Sequence, residues 1–173
     1  MDLSKVSIGK NPPHEINVFI EIAKGVESAK YELDKESGAL FVDRFLSTAM
    51  FYPGNYGFIP HTLSNDGDPC DVLVVGCAAV MPGVIIRARP IGVLFMEDES
   101  GMDEKIIAVP NDNVNMIKSY EHLSNETRNQ ITHFFGHYKD LDKGKWVNIA
   151  NWGSPEQAKE IILEAVKRKQ EAE

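Results

Sequence analysis

A turn that holds three carboxylates within six residues is the most informative group of chemically active side chains in the sequence. Its residues are Asp66-Gly67-Asp68-Pro69-Cys70-Asp71, and the apolar run Val72–Val75 follows directly. Carboxylates this close repel one another unless a cation lies among them, and oxygen ligands without histidine or thiolate suit a hard divalent ion such as Mg²⁺, Mn²⁺ or Ca²⁺. The alternative is a solvated acidic turn, since Asp, Gly and Pro are common in turns. The sequence predicts a cation site, with that alternative still open.

A second acidic segment, residues 97–104, carries Asp98 and Asp103 and is followed by Lys105. It lies at the end of a predicted strand. Acidic loops at the strand ends of a small barrel can face one another and hold two or more metal ions between them. A solvated turn is again the alternative, but the presence of two such segments favours one shared site.

Cationic and phenolic side chains offer the opposite chemistry. Lys30 and Glu32 alternate along a predicted strand and therefore lie on one face, where the alternative to a site is an ordinary exposed ion pair. Tyr52 and Tyr56 lie in residues 51–60, which are rich in aromatics, glycine and proline and are predicted as a shaped loop. Their hydroxyls can donate to phosphate oxygens, or the rings can pack with the hydroxyls at the surface. Both interpretations remain open here.

Numerous short strands and two helices must position these groups. The strand patterns cover residues 17–22, 30–33, 40–45, 72–75, 84–96, 105–109 and 146–149. Helical periodicity begins after the N-cap Ser124, with Gly144 as its stop, and begins again at Ser154 and Pro155. The inward stripe of the first helix is Ile131, Phe134, Phe135, Tyr138 and Leu141. This pattern predicts a mainly β fold, a barrel with flanking helices, as a single domain over residues 1–173.

Two features of the first helix have open roles. Tyr138 lies on the apolar stripe, and Lys139 beside it is a candidate anion contact. His133 and His137 are spaced i, i+4, which is compatible with a metal pair. The local sequence supplies no acidic third ligand, so a helix surface or a subunit contact is favoured, and dissociation at low pH would be its sign.

Composition restricts the class of protein. At 173 residues the chain can bury a core without disulfides, and its two cysteines are predicted to be reduced thiols. The net charge of −8 argues against nucleic acid as a partner, because electrostatic attraction to phosphates supplies most of that affinity. No apolar run approaches the roughly 20 residues that cross a bilayer. Residues 1–5 lack the basic start and apolar core of a secretory signal. We therefore expect a cytoplasmic protein without a membrane partner.

The chain resembles the family I soluble inorganic pyrophosphatases of bacteria over essentially its whole length. The motifs that carry the resemblance are Lys30-Tyr31-Glu32, Asp34-Lys35-Glu36-Ser37-Gly38, Val42-Asp43-Arg44, Phe51-Tyr52-Pro53-Gly54-Asn55-Tyr56-Gly57, Asp66–Val72, His133-Phe134-Phe135, His137–Leu141 and Lys143-Gly144-Lys145-Trp146. One departure is Cys70, where the family signature usually has an aliphatic residue or Phe. We expect Cys70 to point into the core as a small hydrophobic residue.

The resemblance implies an OB-like five-stranded β-barrel with flanking helices, an α+β fold. It implies hydrolysis of pyrophosphate to two phosphates by a metal-activated water, and a homohexamer. The cofactor would be Mg²⁺, several ions per subunit, with Mn²⁺ as a substitute and Ca²⁺ as an inhibitor.

Matching motif positions carry over the residue roles. Metal binding falls to Asp66, Asp71 and Asp103, assisted by Asp98 and Glu21. Asp68 becomes the general base that accepts a proton from the attacking water. Phosphate oxygens are contacted by Lys30, Arg44, Tyr56, Tyr138 and Lys139. The same cavity is lined by Glu32, Tyr52 and Lys105.

Two rival functions without catalysis belong to other classes. A Ca²⁺-binding module of the EF-hand type would need an oxygen ligand at position five and Glu at position twelve of a loop that starts at Asp66, but those residues are Cys70 and Cys77. An OB-fold module that binds single-stranded nucleic acid would suit the barrel and its aromatics, but the net charge opposes it.

Overall fold

The computed structural model describes residues 2–26, 29–34, 36–112 and 116–172. The strands are β1 (Ile16–Ile22), β2 (Ala29–Asp34), β3 (Ala39–Phe45), β4 (Asn55–Phe58), β5 (Asp71–Val74), β6 (Ile85–Asp98), β7 (Gly101–Met102), β8 (Lys105–Pro110) and β9 (Val147–Gly153). The α-helices are α1 (Asn125–His137) and α2 (Pro155–Ala172).

Five strands close into a barrel in the order β1-β4-β5-β8-β6, because β6 pairs back with β1. The pairing of β5 with β8 is parallel and the other barrel pairings are antiparallel. The 14-residue strand β6 extends beyond the barrel, where it also pairs with β7 and β9. The barrel with flanking helices predicted from the sequence is therefore confirmed.

Alternation along the strands divides the core between the two helices. Leu73 and Ile107 belong to the apolar cluster that α1 covers with Phe134 and Phe135. The neighbouring strand residues Val72, Val74, Ile106 and Ala108 face the other cluster, which α2 covers with Ala158, Ile162 and Ala165. Strands with both faces covered read as continuous apolar runs, which explains the pattern of β5 and β8. Neither helix, in the part of the chain that the structure describes, is both long and apolar enough to cross a membrane.

The predicted loop at residues 51–60 is wrong in part, because residues 55–58 form β4, a fully buried strand between β1 and β5. Glycine inside a strand often marks a close approach of two backbones. Gly57 does so here, since a Cβ atom at this position would lie 1.8 Å from the Phe19 carbonyl oxygen. The composition that indicates a loop thus reflects tight packing.

The predicted place of Leu141 on the inward stripe of the first helix is also wrong. Helix α1 ends at His137, and Leu141 is 71% exposed. The chain leaves the helix through turns, in which the amide of Asp140 donates to the His137 carbonyl at 3.0 Å. This exit places Tyr138 and Lys139 at the end of the helix.

We predict that Gly57→Ala destabilises the protein by about 2 kcal/mol or more, because a backbone oxygen cannot move aside without breaking the pairing of β1 with β4. Gly136→Ala is the control. It lies on α1, where the nearest atom to an added Cβ is 3.6 Å away, so the better helix former should stabilise by about 0.5 to 1 kcal/mol. Urea unfolding measures both, and equal effects of the two variants would contradict the close approach.

Candidate active site

A cavity of about 330 Å³ lies where β5 and β8 begin and β6 ends. Its wall is formed by Lys30, Arg44, Tyr52, Tyr56, Asp66, Asp68, Asp71, Asp98, Glu99, Ser100, Met102, Asp103, Lys105, Tyr138, Lys139 and Lys145. Twelve of the fourteen predicted site residues are among them. Glu21 and Glu32 are not part of this wall. The cavity therefore joins the two acidic segments to most of the predicted cations and tyrosines.

The barrel topology brings the two acidic segments together. Val72 pairs with Ile106 in the parallel ladder, so the residues that precede them, Asp71 and Lys105, lie side by side. The Lys105 Nζ donates to Asp71 Oδ2 and to Asp103 Oδ1, each at 2.5 Å, and this lysine is only 3% exposed. One buried ammonium group thus serves a carboxylate from each segment.

Burial and charge act in opposite directions on this group. Burial would lower the Lys105 pKa, but the carboxylates of Asp71 and Asp103 outweigh it and hold the pKa well above its ordinary value. Burial raises the pKa of Asp103, although the nearby Lys105 opposes that shift. Lys105 is therefore a cation at neutral pH. Burial disfavours the ionised form of Asp103.

The first acidic turn is held by its own backbone. Gly67 has φ +94°, a left-handed conformation that glycine adopts without strain. The Asp68 amide donates to Asp66 Oδ1 at 3.0 Å, and the Ser64 amide donates to the Asp68 carbonyl at 2.6 Å. Asp66 and Asp68 are exposed residues on the cavity wall.

The second acidic segment is a tight hairpin between β6 and β7, in which Asp98 pairs with Gly101. The Lys139 Nζ donates to Asp98 Oδ2 at 2.6 Å and lies 3.8 Å from Glu99 Oε1. Burial would raise the pKa of Asp98, but the Lys139 ammonium group outweighs it and lowers that pKa. Asp98 and Lys139 thus connect the hairpin to the end of α1.

Sequence reasoning missed Glu99 and Lys145, whose side chains form an ion pair on the cavity wall. Glu99 directly follows Asp98, and Lys145 lies in one of the motifs that carry the family resemblance. The local signals were therefore present. The local sequence does not show that Glu99 and Lys145, 46 positions apart, meet in the folded chain.

The β2–β3 hairpin brings two cationic side chains to the cavity wall. Lys30 and Arg44 are paired across the two strands. The Lys30 Nζ lies 3.1 Å from Asp43 Oδ2 and 3.5 Å from Glu32 Oε2, so Glu32 reaches the site through Lys30. In the described part of the chain, the Arg44 Nε is a buried donor without a hydrogen-bond partner. An unused buried donor beside a cavity is a feature of a site that binds an acceptor.

Three tyrosines form the apolar floor. Tyr52 packs against Tyr56 and Phe134, with ring centroids 5.1 and 4.6 Å apart. Burial raises the pKa of Tyr52, Tyr56 and Tyr138 above the ordinary value of 10.0. All three therefore keep their protons at neutral pH and can act as hydrogen-bond donors.

The donor chemistry of the cavity fits hard divalent cations. Of the residues that the structure describes, five aspartates and no histidine or cysteine line the cavity. Among the described residues, no three His, Cys, Asp or Glu side chains lie close enough together to hold a metal ion. Lys105 instead supplies the positive charge between Asp71 and Asp103. Cation binding at these two carboxylates would therefore require the lysine or the carboxylates to rearrange.

The helix histidines lie away from the cavity wall. The rings of His133 and His137 are 4.6 Å apart, and His137 Nδ1 lies 2.7 Å from Asp140 Oδ2. All three residues are exposed in the single chain. Both histidines therefore lie on the helix surface, and a subunit contact there stays a prediction.

Glu21 is buried below the site. It is 8% exposed, and its Oε1 accepts a hydrogen bond from the Leu33 amide at 2.8 Å. Burial raises the pKa of Glu21 to about 7, and the amide of Leu33 limits the shift. The carboxyl group is therefore partly protonated near neutral pH.

Comparisons with known proteins agree over nearly the whole chain. A family model described as inorganic pyrophosphatase matches residues 18–170. The chain is 58% identical to an inorganic pyrophosphatase of Bradyrhizobium diazoefficiens, covering 97% of each chain. It is 57% identical to one of Caulobacter vibrioides, covering 99% of each. The crystal structure of inorganic pyrophosphatase from Thermus thermophilus has a TM-score of 0.93 at 38% identity, covering 98% of this chain and 99% of that one.

We predict that Glu21→Gln changes how stability depends on pH. The folded protein holds the Glu21 proton up to about pH 7, whereas the ordinary value is 4.5, so this group stabilises the fold fully below about 4.5 and the contribution is lost as the pH rises through 7. Relative to the unmodified chain, the free energy of unfolding of the variant should therefore rise by roughly 3 kcal/mol between pH 4 and pH 8.

Urea unfolding in a metal chelator at the two pH values measures this difference. Glu164→Gln, at an exposed position on α2, is the control and should show no such gain. Parallel pH profiles of the unmodified chain and Glu21→Gln would contradict the raised pKa.

Proposed function

Because the chain belongs to the inorganic pyrophosphatase family and hydrolyses inorganic pyrophosphate to two phosphates, we propose that the cavity described above is where this reaction takes place. One observation carries the proposal. A single cavity combines five aspartates with five cationic side chains and three protonated tyrosines from separate parts of the fold. Pyrophosphate needs both halves, since it carries several negative charges and must be attacked by water.

Divalent cations are the cofactors of the family, and the carboxylate half of the cavity suits them. We infer that Asp66, Asp71 and Asp103 hold the activating ions, and that Asp98 and Glu21 assist those that arrive with substrate. Mg²⁺ fits this oxygen donor set, with Mn²⁺ as a substitute and Ca²⁺ as an inhibitor. When bound, such ions lower the pKa of coordinated water and neutralise charge on the phosphates.

Asp68 is the proposed general base. Its carboxylate is exposed on the cavity wall between the two proposed metal ligands of the same turn. The amide and carbonyl of Asp68 are both held by contacts within the turn. It accepts a proton from the water that attacks phosphorus, as the bond between phosphorus and the bridging oxygen breaks.

The cationic and phenolic side chains of the cavity bind and stabilise the phosphates. Lys30, Arg44 and Lys139 supply charge, and the hydroxyls of Tyr56 and Tyr138 donate to phosphate oxygens. The unused Arg44 Nε supports this role, as do the raised pKa values that keep the tyrosines protonated. Fixed donors of this kind stabilise the charge that grows on the leaving phosphate. Glu32, Tyr52 and Lys105 complete the surroundings by orienting these groups.

Lys105 neutralises the site in the absence of other cations. Its buried ammonium group cancels part of the repulsion between Asp71 and Asp103. A calcium-binding module does not explain the cavity, since it needs no array of phosphate donors. The family match also disfavours a module without catalysis.

The assembly and the cellular compartment are further parts of the proposal. A homohexamer would bury exposed apolar side chains such as Phe45 and Met81, which are 78% and 76% exposed in the single chain. The His133, His137 and Asp140 surface is a second candidate contact. The free thiols of Cys70 and Cys77 support a cytoplasmic location and a single domain without disulfides.

We predict that purified protein releases phosphate from pyrophosphate in the presence of Mg²⁺ and that two aspartate variants separate the proposed roles. Asp71→Asn should raise the Mg²⁺ concentration needed for half-maximal rate. Asp68→Asn should lower kcat by about 10²- to 10⁴-fold at saturating Mg²⁺, because it removes the proton acceptor.

The assay is phosphate release as a function of Mg²⁺ concentration, with Glu171→Gln, an exposed position on α2, as the control. The absence of phosphate release above a metal-free blank would contradict the proposed function. An unchanged kcat for Asp68→Asn would remove Asp68 from the role of base while leaving the site in place.

A further inference from the structure

One buried threonine links the two ends of the segment that carries the first acidic turn. Thr62 is 3% exposed, and its hydroxyl bridges two backbone groups. The Thr62 Oγ1 donates to the Ile59 carbonyl at 2.6 Å and accepts from the Cys70 amide at 2.9 Å. Both the donor and an acceptor position of this hydroxyl are therefore used by the backbone of the same loop.

Cys70 is held on both sides by this arrangement. Its amide donates to Thr62, and its carbonyl accepts from the Ile59 amide at 3.0 Å. Asp71 is the next residue, and it also begins β5. A peptide fixed at its amide and its carbonyl leaves little freedom in where the following side chain begins. The Thr62 hydroxyl is therefore one of the groups that fix the backbone from which the Asp71 side chain begins.

The rest of the loop is tied to the turn and to α2. The Ser64 amide donates to the Asp68 carbonyl at 2.6 Å, and the Gly67 amide donates to the Ser64 carbonyl at 3.2 Å. Leu63 is fixed to α2 at both backbone groups. Its amide donates to the Ala165 carbonyl at 3.0 Å, and its carbonyl accepts from Arg168 Nε at 2.9 Å. Leu63, which directly follows Thr62, is thus anchored to α2, and Ser64 ties the same segment to the turn.

We propose that Thr62 is a positioning residue for metal binding, acting through the Cys70 peptide on Asp71 and through the loop on Asp68. The inference rests on the proposed function of the turn as the site of the cations. Its physical basis is preorganisation. If the metal-binding side chains are not held in place beforehand, the free energy needed to order the loop weakens cation binding. Thr62 itself touches neither the cavity wall nor the reacting groups.

The test compares Thr62→Val, which keeps the shape and removes the hydroxyl, with Thr62→Ser, which keeps the hydroxyl. Calorimetric titration with Mg²⁺ should show an affinity at least about tenfold lower for Thr62→Val, the scale at which groups that orient metal ligands act. Thr62→Ser should restore most of it. Thr132→Val is the matched control, since it removes a hydroxyl that accepts from Trp152 Nε1 at 3.2 Å far from the turn, and it should leave the affinity unchanged.

Hydrogen exchange of the Cys70 amide gives a second readout that needs no variant. Because binding couplings are reciprocal, Mg²⁺ should slow the exchange of this amide in the unmodified protein. Exchange that Mg²⁺ does not alter overturns the proposal, even if Thr62→Val fails to fold. Equal Mg²⁺ affinity of folded Thr62→Val and the unmodified chain overturns it as well.

These outcomes separate the inference from the proposed function. If the unmodified protein binds Mg²⁺ but releases no phosphate, the proposed function fails, while the calorimetric and exchange results still decide the role of Thr62. If phosphate release is normal and Thr62→Val binds Mg²⁺ normally, the function stands and the inference fails.

Discussion

The buried ammonium group of Lys105, shared by Asp71 and Asp103 at 2.5 Å each, is the interaction on which the site depends. Carboxylates from two separate segments can face one cavity only if their mutual repulsion is offset. An exposed pair would contribute little, but this lysine is 3% exposed, and a buried charge must be paired. Lys105 therefore permits the concentration of negative charge that a divalent cation can later use.

The barrel topology places Lys105 next to one of its two carboxylate partners. The parallel register of β5 and β8 sets Asp71 beside Lys105, and the long strand β6 delivers Asp98 to the same end. Most of the proposed phosphate-binding groups come from outside the barrel, namely from the β2–β3 hairpin and the end of α1, while Tyr56 comes from the barrel strand β4. No single element carries a working site. The cavity exists only where the three parts meet, which ties the proposed chemistry to the integrity of the whole fold.

Sequence reasoning found the acidic turn from its density of charge and found the barrel from its short strands. It misjudged β4, because glycine and aromatic residues needed for close packing resemble those of a loop. It also extended the first helix to Leu141, since periodicity does not show that the chain turns away after His137. Glu99 and Lys145 were missed because their meeting depends on tertiary distance. The assignment of individual roles came from family resemblance, which local patterns alone do not supply.

The central claim is that cations hold these carboxylates together, and Lys105→Met tests it most directly. In a metal chelator, urea unfolding should show the variant to be less stable by about 3 kcal/mol, because removing one partner leaves the other charges buried and unpaired. Added Mg²⁺ should restore part of the loss and should stabilise the variant more than the unmodified chain, with Lys167→Met, an exposed lysine, as the control. No loss of stability in the chelator, or a loss that Mg²⁺ leaves unchanged, would contradict the account.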